Sequence, residues 1–134
     1  MFKHFLLPTD GSPLSDAAVD KAVTFAKEAQ AKITGLHVMP EWPITSTARA
    51  TAKDHAETYL ARVAEAAQAA GVACETLAVG SDHPYQEIIK TAETSKCDLI
   101  VMASHGRSAV QGLLLGSQTN KVLAHTKIPV LVYR

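Results

Sequence analysis

The chain has 134 residues, 47% hydrophobic and 19% charged, a globular composition that excludes intrinsic disorder and suits one domain spanning residues 1–134. Lysine plus arginine equals aspartate plus glutamate at 13 each, which argues against an electrostatic draw to nucleic acid or to an anionic membrane. No apolar run approaches the ~18 residues a bilayer span needs, and the one after Lys3 and His4 is too short for a secretory leader; the expected location is cytoplasmic.

In chain order, strand and helix patterns alternate almost throughout. Residues Phe2–Thr9 read as a first strand, ending at a turn of Asp10, Gly11, Ser12 and Pro13. Ser12 is placed to cap a helix with Pro13 in its first position. That helix turns Ala18, Val19, Ala22, Val23, Ala26 and Ala29 to one side. Ala31–Val38 is a second strand. Pro40 and Pro43 then enforce a loop around Trp42, which either shields a pocket mouth or rests on the helix below it. A long helix over about Ala48–Ala70 carries Ala56, Tyr59, Leu60, Val63, Ala67 and Ala70 inward, and Gly71 stops it.

Val72–Val79 is a third strand, and the turn from Gly80 to Pro84 opens a third helix with Tyr85, Ile88, Ile89 and Ala92 inward. Leu99–Ala103 is an unbroken apolar run, the signature of a strand covered on both faces. A fourth helix over about Ser117–His125 and a last strand, Pro129–Tyr133, complete the order β-α-β-α-β-α-β-α-β. This alternation predicts an open, Rossmann-like α/β fold: a parallel five-stranded sheet with helices on both faces. Cys74 and Cys97 have neither a Cys-x-x-Cys spacing nor nearby histidines, and read as buried, reduced thiols. The six histidines lie on separate elements without ligand spacing, so no metal site is expected.

Sheets of this class bind ligands outside the carboxyl ends of their strands, where the strand order reverses. If that order is 3-2-1-4-5, strands one and four meet at the switch. Asp10 then faces the loop Ala103–Arg107, with Val38 and Met39 near enough to wall an apolar pocket. A small-residue loop followed by a helix start at Gly116 and Ser117 offers backbone N–H groups and the helix dipole to an anion. The Walker-type loop and the Gly-x-Gly-x-x-Gly fingerprint are both absent, which disfavours a P-loop hydrolase and a dehydrogenase. Ser104, Ser108 and Ser117 lack a nucleophile elbow, and Asp16 and Asp20 read as charge complementing a helix N-terminus.

The spacing from Ala103 to Gly106, then nine residues, then Gly116 and Ser117 resembles the Gly-x-x-Gly, nine-residue, Gly-Ser/Thr signature of the universal stress protein family. The resemblance runs the length of the chain. It includes Leu6–Ser12 (LLPTDGS), Gly35–Val38 (GLHV), Asp98–Arg107 (DLIVMASHGR), Leu113–Ser117, Val122–His125 and Pro129–Val132. It implies strand order 3-2-1-4-5, a homodimer through strand five, and, for members carrying the glycine signature, ATP in the switch crevice. Magnesium would accompany the phosphates, and ADP or AMP are alternative ligands.

Carried over by position, the resemblance implies a site of Pro8, Thr9, Asp10, Val38, Met102, Ala103, His105, Gly106, Arg107, Gly116, Ser117, Gln118 and Thr119. Asp10 would lie near the adenosine and Val38 near the base. Ala103 and Gly106 would approach the ribose and phosphates, and Gly116, Ser117 and Gln118 would cap the phosphate tail. Arg107 would add positive charge. The departure is Ala103, where the signature has its first glycine: a methyl group there reduces room at the ribose.

Each residue also has a plainer role. Asp10 serves turn chemistry, Arg107 solvation, and His105 loop packing, since no acid–base partner is evident for it. The expected function is a nucleotide-dependent regulator of stress or metabolic response. Bound ATP would order the loop from Gly106 to Gly116, an unidentified protein partner would read the change, and hydrolysis would be slow at most. The alternatives are a dimeric interaction module of the same fold that binds no nucleotide, and an ATP-using enzyme that activates a substrate. The edge strand Val130, Leu131, Val132 and Tyr133 supports the dimer on physical grounds, because a bare apolar edge needs covering.

Overall fold

Alternating apolar segments and amphipathic helices assemble as β1 (His4–Pro8), α1 (Pro13–Ala29), β2 (Lys32–Met39), α2 (Ser46–Ala70), β3 (Cys74–Gly80), α3 (Pro84–Thr94), β4 (Leu99–Ala103), α4 (Ser117–His125) and β5 (Val130–Tyr133). The computed structural model describes residues 1–134 except 42, 43, 107–111 and 113, so the roles considered for Trp42 lie outside the described residues. The five strands pair in parallel in the order β3-β2-β1-β4-β5, and β1 and β4 adjoin at the switch point.

Two apolar layers hold the sheet. One packs Val19, Ala22, Val23 and Ala26 of α1 and Val63 and Ala67 of α2 on Phe5, Leu7, Ile33, Leu99 and Val101. The other packs Ile88 and Ala92 of α3 and Val122 of α4 on Leu6, Leu36, Ile100 and Met102. Side chains alternate across a strand, so Phe5 and Leu7 serve one layer and Leu6 the other. All three are fully buried, each worth about 2 kcal/mol of transfer free energy.

Several boundaries differ from the sequence reading by a residue or two, and the helix ends explain why. Gln30 and Gly71 adopt left-handed geometry, with φ of 56° and 74°. Their successors turn back on the helices: the Ala31 N–H donates to the Ala26 carbonyl and the Val72 N–H to Ala67. These closures consume residues 31 and 72, so β2 starts at Lys32 and β3 at Cys74. At β1, both Asp98 carboxylate oxygens accept N–H groups, from Lys3 at 2.8 Å and His4 at 2.9 Å, and the strand starts at His4 rather than Phe2. Thr45, not foreseen, caps α2 by accepting from Ala48 N–H at 3.1 Å, which sets its start at Ser46.

Candidate site in the switch-point crevice

The carboxyl ends of β1, β2 and β4 open a crevice of about 400 Å³ between α1, α3 and α4. Twelve of the thirteen positions singled out above line it: Pro8, Thr9, Asp10, Val38, Met102, Ala103, His105, Gly106, Gly116, Ser117, Gln118 and Thr119. Arg107 lies outside the described residues. Met39 does not line the crevice, because alternation along β2 turns it to the other sheet face, into a smaller hollow with Ile44 and Ala52.

Asp10 leaves β1 at the turn into α1. Its Oδ1 accepts from Ser12 N–H at 3.0 Å and from the Ser15 hydroxyl at 2.8 Å. Ser12 in turn caps α1, accepting from Ser15 N–H at 3.2 Å. The second oxygen, Oδ2, reaches across to Gly106, where any Cβ would collide with it. Neither Gly106 nor Gly116 has positive φ, so Gly106 is required for close approach and not for backbone freedom.

On the other wall, β4 continues its ladder beyond Ala103 through Ser104 N–H, which donates to the Tyr133 carbonyl at 2.7 Å. The Ser104 carbonyl accepts from Gly116 N–H at 2.7 Å, and the Thr119 hydroxyl donates to the Ala103 carbonyl at 2.9 Å. These bonds clamp the start of α4 onto the end of β4. Gly116 occupies the N-cap without a side-chain acceptor, which leaves the first amides of α4, at Ser117, Gln118 and Thr119, without an intrahelical acceptor at the crevice. Ala103 pairs with Tyr133, is buried and has no positive φ, so its methyl is accommodated without backbone strain.

Gln118 takes a role the sequence reading missed. Its Oε1 accepts from Tyr85 N–H at 2.9 Å and so caps α3, whose own N-cap, His83, provides no side-chain bond. His105 Nδ1 lies 3.1 Å from the Ser104 hydroxyl. Four lining residues went unforeseen: Ser15, Leu36, Pro84 and Ile88. Leu36 was reachable, because it shares a strand face with Val38. Pro84 and Ile88 depend on how α3 crosses the sheet, which no local pattern encodes. Among the described residues, no three histidine, cysteine or acidic side chains gather as a potential metal site. None of the described helices is long and apolar enough to cross a membrane.

The sequence profile of the universal stress protein family matches residues 1–134. The chain belongs to the universal stress protein family. It is 33% identical over 149 residues to the universal stress protein YxiE of Bacillus subtilis, covering 100% of both chains. The structure of the hypothetical protein MJ0577, from Methanocaldococcus jannaschii, superposes with a TM-score of 0.87 at 29% identity, covering 99% of this chain and 96% of that one. A universal stress protein in complex with cAMP superposes with a TM-score of 0.75 at 28% identity, covering 99% and 97% of the two chains.

Proposed function

We propose that this universal stress protein binds ATP, with accompanying magnesium, in the switch-point crevice and acts as a nucleotide-dependent regulator. The observation that carries the reading is the uncapped N-terminus of α4 at the edge of an apolar-walled crevice. Leu36, Val38, Ile88 and Met102 offer a surface of the kind a purine base prefers. Oriented amides at Ser117, Gln118 and Thr119, with the helix dipole behind them, suit phosphate oxygens. Asp10 supplies acceptors suited to ribose hydroxyls or base amines. The relative solved with cAMP supports an adenine nucleotide as the ligand class.

Regulation follows from occupancy: a ligand that binds one arrangement of the β4 and α4 ends more tightly than another shifts the balance between them, and a partner protein reads the result. A dimer formed by β5 edges would carry two such sites. No efficient hydrolysis is proposed, because a positioned water and a base would be needed and, among the described residues, only Asp10 and His105 stand near.

The test is to denature freshly purified protein, identify released nucleotide by chromatography, and titrate stripped protein with Mg-ATP, ADP, AMP and cAMP. Released ATP, or saturable binding with ATP preferred, is the expected result. Preference for AMP or cAMP would keep the site and change the ligand. An empty chain that binds none of the four would favour the second reading, a dimeric interaction module whose Ala103 methyl narrows the crevice.

A further inference from the structure

The loop that carries Asp10 is held from behind. Leu36 and Val38 of β2 face the crevice, so His37 between them points to the opposite sheet face, under α2, where it is buried. Its Nδ1 is 2.8 Å from the Thr9 carbonyl oxygen. A carbonyl only accepts, so Nδ1 carries the proton and donates. Tyr59 of α2 meets the His37 ring edge-on, with centroids 5.1 Å apart, and its outer face stacks with His55 at 5.6 Å. The Tyr59 ring also fills the space beside Gly11, where any Cβ would collide with it, and Gly11 itself holds φ of +75°. A further bond, from Gly11 N–H to the Thr9 hydroxyl at 3.2 Å, tightens the same turn. Thr9 and Gly11, the residues on either side of Asp10, are thus each fixed by an aromatic side chain outside the crevice.

We propose that His37 and Tyr59 are positioning residues for nucleotide binding: acting across the sheet, they fix the Thr9–Gly11 backbone and so aim the Asp10 carboxylate. This rests on the nucleotide reading above. A carboxylate held by supported backbone binds a ligand without first losing the freedom of a loose turn, which is where such second-layer contacts gain affinity. His37 acts through the peptide it bonds, Tyr59 through the bulk that defines the turn, and neither touches the ligand.

The experiment measures Mg-ATP affinity and urea midpoint for wild type, His37→Phe, His37→Asn, Tyr59→Leu and Asp10→Ala, and for His37→Phe and Tyr59→Leu each combined with Asp10→Ala. Phenylalanine keeps the ring against Tyr59 and deletes the donor, whereas asparagine places an amide N–H where Nδ1 stood. His37→Phe is expected to weaken binding about threefold to tenfold, the effect of one supporting hydrogen bond, with His37→Asn recovering most of it. Tyr59→Leu is expected to weaken binding likewise, which keeps the proposal testable should His37→Phe fail to fold. In the Asp10→Ala background neither substitution should cost further affinity, because their effect passes through Asp10. Unchanged affinity in His37→Phe or in Tyr59→Leu, or losses that multiply with that of Asp10→Ala, would overturn the positioning role while leaving the nucleotide site standing. A wild-type chain that binds no nucleotide would sink the nucleotide reading and this one with it.

Discussion

Gly106 is the residue on which the two walls of the crevice depend. Its missing Cβ is the space into which Asp10 Oδ2 projects, so Gly106→Ala sets a methyl against a carboxylate at the end of a movable side chain. Asp10 can swing away, and the fold is expected to tolerate the change within about 1 kcal/mol, whereas the carboxylate loses its aim. Isothermal titration should register at least a fivefold loss of Mg-ATP affinity at a near-normal urea midpoint, a loss on the scale of one polar contact. Cys97 shows the opposite case, a reactive residue type made inert, whereas Cys74, at the start of edge strand β3, is half-buried and not the buried thiol expected. Burial, aided by the nearby Asp98 charge, pushes the Cys97 thiol up to about 11, so at neutral pH almost no thiolate is available.

At the scale of elements, helix ends do much of the positioning. The Ser12 hydroxyl caps α1 while Ser12 N–H and the Ser15 hydroxyl hold Asp10, so one helix start shapes both the fold and the site. Ser12→Ala should cost about 1 kcal/mol of unfolding free energy in urea titration, the usual loss for an N-cap, and leave nucleotide affinity within twofold because the Ser12 N–H is retained.

The opposite end of the sheet links folding to acid pH through two groups. Partial burial resists ionisation of Asp98, but the N–H groups of Lys3 and His4 outweigh it and hold the carboxyl below its ordinary value of 3.8. A carboxyl depressed in the folded state stabilises the fold above that ordinary value, and the contribution disappears as pH falls through the folded value. Burial, then the charge of Lys32, also lowers His4 below 6.5, so acidification past that value disfavours the native state, which resists its protonation. Asp98→Asn should therefore be less stable at pH 6 and show a flatter decline of urea midpoint below pH 4, read by fluorescence or circular dichroism. A parallel decline in both proteins would refute the linkage.

At the scale of the whole molecule, the sheet ends in an edge. Among the described residues β5 pairs with β4 alone, and Leu131 is 46% exposed there. Pairing of two β5 edges about a two-fold axis would bury Leu131 and neighbouring Val130, Val132 and Tyr133. A charge at the centre of that edge is expected to prevent it. Leu131→Glu should run as a monomer in light scattering at concentrations where wild type runs as a dimer; a monomeric wild type would refute the proposed association outright.

The residues that determine local geometry were legible in the chain itself. Apolar runs at Leu99–Ala103, Ser12 before Pro13, and Gly71 after a helical stripe each act through neighbours in sequence, so periodicity and cap chemistry were enough to place β4, α1 and the end of α2. The family resemblance, carried over by position, likewise named twelve residues that line the crevice. Left-handed closure at Gln30, although local, was hidden because glutamine carries no sign of it. Tertiary structure alone decided the rest. Pro84 and Ile88 entered the crevice only because α3 packs over β1 and β2. Gln118 was diverted to cap α3, and His37 and Tyr59 came to brace the Asp10 turn across the sheet. Those contacts join residues separated by tens of positions, and their energies depend on distances set only when the layers close, whereas a cap or an amphipathic stripe takes its meaning within a turn or two of chain.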